Sequence, residues 1–218
     1  MNDYSRCIDQ WNSIFSGESC VVPSTQKLGI PVLDEALDWL CDGTESVLDF
    51  GCGNGSLLFS CALRGMKRMI GIDLSRIGIQ NALLRAEKMQ AGSFLFLEGS
   101  LERLAELDSE SVDGIILSNI LDNLYPEDAR ALLAECFRIL RCGGKTLIKL
   151  NPYLTQEQLE EWGIKTIAGN LLDDGILLWN NSTVEWRGIL SSYFAIKRDA
   201  EVYYPEHDQT NRLFFAYK

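Results

Sequence analysis

Between residues 46 and 150 the chain alternates two hydrophobic rhythms. Short aliphatic runs, SVLDF (46–50), RMIGID (68–73), FLFL (94–97), VDGIILS (112–118) and TLIKL (146–150), predict buried strands. Between them lie stretches of helical spacing, one after Gly55, one from Ser75 and one opening near Pro126. In the last, Ala129, Leu132, Leu133, Cys136, Phe137 and Leu140 fall on one stripe, and Gly143 with Gly144 is expected to end it. Strands and helices in this order predict a parallel sheet with helices on both faces. Near the end, AIKRDAEVYY (195–204) and TNRLFFAYK (210–218) read as strands joined by the turn-rich PEHDQ, a hairpin that closes the sheet antiparallel. The expected fold is α/β: an open doubly wound, mostly parallel seven-stranded sheet with a C-terminal antiparallel hairpin strand, helices on both faces and a small cap insertion.

Two segments lie outside that rhythm. Residues 1–45 are expected to form an N-terminal helical segment, with Leu33, Ala36, Leu37 and Leu40 at helical spacing. Residues 151–194 are too long for an ordinary connection and are expected to form a cap insertion over an acceptor site. Thr155 with Gln158, and Ser182 with Glu185, have the spacing of capping boxes and predict two helices there. Between them, Leu171–Trp179 carries an Asp-Gly turn between apolar runs, a hairpin signal. Trp162, Trp179 and Trp186 either pin the cap to the core or line an apolar acceptor pocket. With a core at 46–150 and the closing hairpin at 195–218, the chain reads as one domain over 1–218.

Composition narrows the chemistry. A net charge of -11, with no lysine- or arginine-rich block, argues against a nucleic-acid partner. No apolar run approaches the roughly 20 residues of a bilayer span, and the first residues lack the pattern of a secretory signal, so a soluble cytoplasmic protein is expected. The seven cysteines form no C-x-x-C pair and His207 is the only histidine, so reduced thiols and no metal site are expected.

The chemistry concentrates in Val47-Leu48-Asp49-Phe50-Gly51-Cys52-Gly53-Asn54-Gly55, a strand that runs directly into a glycine-rich turn. Gly51 and Gly53 allow backbone conformations closed to other residues and let a ligand lie against the main chain. A second strand ends in another acid, Asp73, placed where this kind of fold reaches the paired hydroxyls of a ribose. A dinucleotide is the weaker choice. Its glycine pattern would need glycine at 56, where Ser56 stands, and a pyrophosphate would not favour the carboxylate of Asp49 nearby.

VLDFGCGNG resembles the first motif of the class I (Rossmann-like) S-adenosylmethionine-dependent methyltransferase family. IGIDLS (70–75) is similar to the second motif, which implies Asp73 on the ribose and Leu74 against the adenine. SVDGIILSNILDNL resembles the fourth-strand region, where Ser118 and Asn119 would border the methionine half of the cofactor. RILRCGGKTLI (138–148) is similar to the approach to the fifth strand. The resemblance covers residues 46–150 and implies cofactor contacts from Asp49, Gly51, Cys52, Gly53, Asp73, Leu74, Gly99, Ser100, Leu101, Ser118 and Asn119. Where relatives often carry Gly-Asp after the third strand, this chain has Gly99-Ser100, with Glu102 as an alternative acceptor for the adenine amino group. Trp11 and Tyr4 either staple an N-terminal helix or belong to a segment that folds over the cofactor, as it often does in relatives.

The implied reaction is in-line methyl transfer to a small-molecule acceptor, in which alignment supplies much of the catalysis. A hydroxyl or thiol acceptor would need a base, for which His207, Asp122 and Tyr204 are the candidates. Asn151-Pro152-Tyr153 has the look of a nitrogen-methylating motif but falls after the fifth strand rather than the fourth. Two other readings remain: a cofactor-binding partner subunit without turnover, and a nicotinamide oxidoreductase.

Overall fold

A computed structural model describes residues 2–218. In chain order the elements begin with the helices α1 (Ser5–Ser16) and α2 (Pro31–Cys41). The repeating core follows: β1 (Ser46–Phe50), α3 (Ser56–Leu63), β2 (Arg68–Asp73), α4 (Arg76–Ala86), β3 (Ser93–Glu98), β4 (Val112–Ser118), α5 (Pro126–Ile139) and β5 (Leu140–Leu150). Next come α6 (Gln156–Trp162), β6 (Lys165–Ala168), β7 (Leu171–Asp174), β8 (Ile176–Trp179) and α7 (Thr183–Leu190), and the chain closes with β9 (Ala195–Tyr204) and β10 (Gln209–Tyr217).

The main sheet has seven strands in the order β3-β2-β1-β4-β5-β10-β9, with β10 antiparallel between β5 and β9. The chain thus reverses its winding between β1 and β4, the place where open α/β sheets open a crevice at the carboxyl ends of their strands. Every residue of β1 is buried, because the sheet is covered on both faces. On one face Leu48, Ile115, Leu117 and Ile148 meet α5, including Leu132, Leu133 and Cys136. On the other Val47, Ile116, Leu147 and Phe215 meet α2 and α3 through Leu37, Leu40 and Phe59.

Three local expectations change. Helix α5 stops at Ile139, and Leu140 already belongs to β5, so Gly143 and Gly144 lie inside a strand rather than capping a helix. Gly143, at φ 73°, sits where the register with β4 slips, and its N–H donates to the carbonyl of Lys218. Phe137 lies off the buried stripe, 40% exposed. The segment after β5 does contain both capping boxes and the hairpin, whose turn residue Gly175 has φ 78°. It also adds a third strand, β6, whose four residues are all exposed and therefore carry no alternation to read.

That segment is no detachable insertion. Leu171, Leu177, Trp179, Trp186 and Leu190 are part of the main core beneath α5. Trp179 and Trp186 meet edge to face with ring centres 4.9 Å apart, while Trp162 stays exposed.

Candidate active site

The cleft at the carboxyl ends of β1, β2 and β4 begins with the glycine turn. Gly51, Gly53 and Gly55 all have positive φ, between 53° and 79°, so the backbone turns tightly from β1 into α3. Asp73, at the end of β2, holds the turn in place: one carboxylate oxygen accepts from the Gly53 N–H at 2.7 Å and the other from the Ser75 N–H at 2.7 Å. Burial raises the pKa of Asp73, and the two amides offset part of that rise.

Asp49 lies on the last rungs of β1 and is only 1% exposed. Its Oδ1 has no hydrogen-bond partner, and burial followed by the charge of Asp73 pushes its pKa up to about 8, against a smaller opposing pull from Lys149. Burial and the same two acids also hold the Cys52 thiol well above its ordinary range, so it is no thiolate nucleophile.

Helix α1 forms the roof. Tyr4, Cys7, Ile8, Trp11 and Phe15 make one helical stripe that faces the cleft, yet no residue of α1 is fully buried. The helix is tied down at both ends by polar contacts. Asn12 Oδ1 accepts from the Ser75 hydroxyl at 2.8 Å and the Ile77 N–H at 3.2 Å, and the Asn81 amide donates to the Phe15 carbonyl at 2.8 Å. At the other end the Tyr4 hydroxyl donates to Asp128 at 2.6 Å, and Arg6 pairs with Asp173 of the β7–β8 hairpin at 2.9 Å. The enclosed cavity is about 120 Å³, with Ile120, Leu124 and, from β8, Ile176 on its apolar side.

At the end of β4, Asn119 adopts φ 54°, uncommon for a residue with a side chain. It is held there by a one-way chain of carboxamides. Asn211 donates to Asn119 at 3.3 Å, Asn119 donates to Asn151, Asn151 donates to Asn123 at 3.1 Å, and Asn123 donates to the Leu177 carbonyl at 2.7 Å. The chain ties β10, β4, β5 and the β7–β8 hairpin together beside the cleft. Asn151, set aside in the sequence for standing after the wrong strand, is brought beside Asn119 because β5 lies next to β4.

Of the residues singled out in the sequence, Trp11, Gly51, Gly53, Asp73, Leu74, Gly99, Ser100, Ser118 and Asn119 line the cleft. Asp49, Cys52 and Leu101 do not contribute to its lining. The three candidate bases also lie off it. His207 is exposed on the β9–β10 turn. Tyr204 accepts a hydrogen bond from Lys149 at 3.0 Å. Asp122 is fully buried, accepts from the Asn151 N–H at 2.6 Å, and is pushed up to about 6 by burial. With Arg212, which donates to the Asn151 carbonyl at 2.7 Å, it anchors the carboxamide chain. Glu102 is engaged by the Ser100 N–H at 2.8 Å. Tyr4, paired with Trp11 in the sequence reading, also lines the cleft, whereas Asn12, Phe15 and Ile176 were missed because their roles depend on contacts between distant segments.

No lysine or arginine lines the cleft among the described residues, where Asp73 stands on the lining and Asp49 lies buried behind it. A pyrophosphate would find no cation there, whereas a ribose suits the Asp73 carboxyl beside a glycine turn. The sequence profile of the family described as "Methyltransferase domain" matches residues 47–144. The chain belongs to the class I S-adenosylmethionine-dependent methyltransferase family.

Among curated members of this family, an arsenite methyltransferase of Mus musculus is 36% identical over 149 residues, covering 63% of this chain and 39% of that protein. A ribosomal protein L11 methyltransferase of Methylobacillus flagellatus is 33% identical, covering 68% of this chain and 48% of that protein. The chain therefore spans less than half the length of these two methyltransferases. The fold is shared with the N-methyltransferase NodS of Bradyrhizobium japonicum, solved with S-adenosyl-L-homocysteine, at a TM-score of 0.68 and 14% identity over 98% of this chain and 99% of that one.

Proposed function

We propose that this methyltransferase moves a methyl group from S-adenosylmethionine to a small molecule with an apolar body, held under α1 and against Ile176. The roofed cleft carries this reading: its glycine turn and Asp73 suit the nucleoside, while Tyr4, Cys7, Leu124 and Ile176 form an apolar end beneath α1. The cofactor when bound supplies the electrophilic methyl group. The chain supplies position: Asp73 for the ribose hydroxyls, Leu74 and Ser100 for the adenine, and Asn119 and Ser118 at the methionine end, with Asp49 buried behind the glycine turn. The side chains at the apolar end that could act as a base are the Cys7 thiol and the Tyr4 hydroxyl, which already donates to Asp128. Alignment is the main source of rate in this reading.

Labelled-methyl transfer over a metabolite panel, with ribosomal protein L11 as a further acceptor, tests it. Transfer to a small molecule supports the proposal. Transfer to the ribosomal protein alone overturns the acceptor class, and S-adenosylhomocysteine binding with no transfer to any acceptor favours a partner subunit. A charge at position 176 gives a sharper probe than removing the hairpin, which would strip Trp179 from the core. Ile176→Asp is expected to lower kcat/KM by about tenfold or more, the range for a disturbed apolar acceptor contact, with S-adenosylhomocysteine affinity little changed. Equal losses in both would place Ile176 at the cofactor instead.

Asp73→Ala is expected to weaken S-adenosylhomocysteine binding by roughly 1.5–3 kcal/mol, the range for hydrogen bonds to a charged group. Because the same carboxylate holds Gly53 and Ser75, the melting temperature should fall as well. Calorimetric titration of the folded variant checks the first effect, and unchanged affinity would remove Asp73 from the ribose.

A further inference from the structure

A second cavity, of about 590 Å³, opens between α5, α7 and the end of β8, and its lining shares no residue with the cofactor cleft. The Arg130 guanidinium lies over the Trp179 ring, 5.0 Å from its centre. Among the described residues no carboxylate pairs with Arg130, whose one hydrogen bond is a 3.4 Å contact to the Pro126 carbonyl on its own helix. A guanidinium seated over an indole keeps N–H groups with which it can donate to a carboxylate.

The same cavity ends a chain of donors. The Trp179 indole N–H donates to Asn170 at 3.1 Å, and the Asn170 amide donates to Asn181. Asn181 is only 4% exposed, and its own amide nitrogen has no acceptor. A buried amide group without a partner is costly, and such groups in folded proteins are normally satisfied by water or by a ligand. One oxygen of Glu185, the carboxylate on the lining, accepts from both the Ser182 hydroxyl and N–H at 2.7 Å in the cap of α7. The cavity thus brings together the Arg130 guanidinium, which no carboxylate pairs, and the Asn181 amide nitrogen, which has no acceptor.

We propose that this cavity is a binding site for a small carboxylate, held by the edge of Arg130 and by the amide of Asn181. A carboxylate supplies the two acceptor oxygens that a guanidinium recognises. Trp179 closes β8, the strand that opens with Ile176 in the cofactor cleft, so occupation of the cavity bears on the strand that forms the apolar end of that cleft. The site is independent of the methyl-transfer reading.

The probes are benzoate and succinate, titrated into the full chain by calorimetry with thermal melting alongside, with sodium chloride at equal ionic strength as control. Saturable binding of benzoate that persists in excess S-adenosylhomocysteine is the expected result, with about tenfold weaker binding in Arg130→Gln. Arg130 is exposed, so this variant should fold, and Arg130→Lys, which keeps the charge without the fork, should not restore full affinity. Absence of saturable binding by either carboxylate, equal binding in Arg130→Gln, or competition with S-adenosylhomocysteine would each overturn the proposal.

Discussion

Gly53→Val is expected to abolish S-adenosylhomocysteine binding in a chain that still folds. Gly53 has φ 53°, and a Cβ there would come within 2.6 Å of the Phe15 ring. A β-branched side chain pays twice, once in a conformation that costs on the order of 1–3 kcal/mol, and again by driving Phe15 and the end of α1 away from the cleft. The turn would also pull its N–H from Asp73, which holds the second wall of the site. The sheet beneath should survive, since most of the apolar core on its two faces comes from strands and helices outside the turn, with Phe50 and Cys52 the contributions next to Gly53. Circular dichroism establishes folding, and calorimetric titration reads affinity. Gly53→Ala, with the same backbone penalty and less bulk, should fall between the two. Wild-type affinity in folded Gly53→Val would dissociate the turn from cofactor binding.

Asp49→Asn should stabilise the ligand-free protein at alkaline pH and remove much of its pH dependence. An unfolded aspartate titrates near 3.9, whereas native Asp49 titrates at about 8. Between those values the native chain holds a proton that the unfolded chain has released. Its contribution to stability is therefore complete below about pH 4 and is lost as pH rises through 8. A shift of this size corresponds to an upper limit on the order of 5 kcal/mol. Asp73 and Asp122 are shifted in the same direction and add to the slope. Urea unfolding at pH 5.5, 7 and 8.5 measures it. The wild type should weaken steadily across the series and Asp49→Asn distinctly less. Identical slopes would show that Asp49 is already ionised in the native chain.

The parts of this molecule legible in its sequence are those encoded by neighbours in the chain. SVLDF ends in the glycine turn, Thr155 and Ser182 open helices through their capping boxes, and Asp174-Gly175 turns the hairpin, all within a few residues. The end of α5 was not legible because Gly143-Gly144 suits a helix terminus and a strand irregularity equally well, and only pairing with β4 decides between them. Strand β6 escaped because KTIA, exposed throughout, is defined by its hydrogen bonds to β7 alone. Within the site, Asp73 and the glycines were visible as motifs. The anchoring of α1 by Asn12 and Arg6 was not, since Ser75 and Asp173 stand 63 and 167 positions away. Asp122 illustrates the reverse error: an acid after the fourth strand looks available for proton transfer, but it is spent on the Asn151 backbone.

The carboxamide chain from Asn211 to Leu177 has a direction. Each amide spends its nitrogen on the next oxygen, so turning any one of them over sets two oxygens against each other on one side and two N–H groups on the other. The members must therefore keep or lose their orientation together, as a row of switches wired in series. Spontaneous loss of ammonia, which converts asparagine to aspartate, would replace a donor with a charge at whichever link it struck. Ageing damage at Asn211, at the far end of the row, would then be felt at β8, four hydrogen bonds along the line.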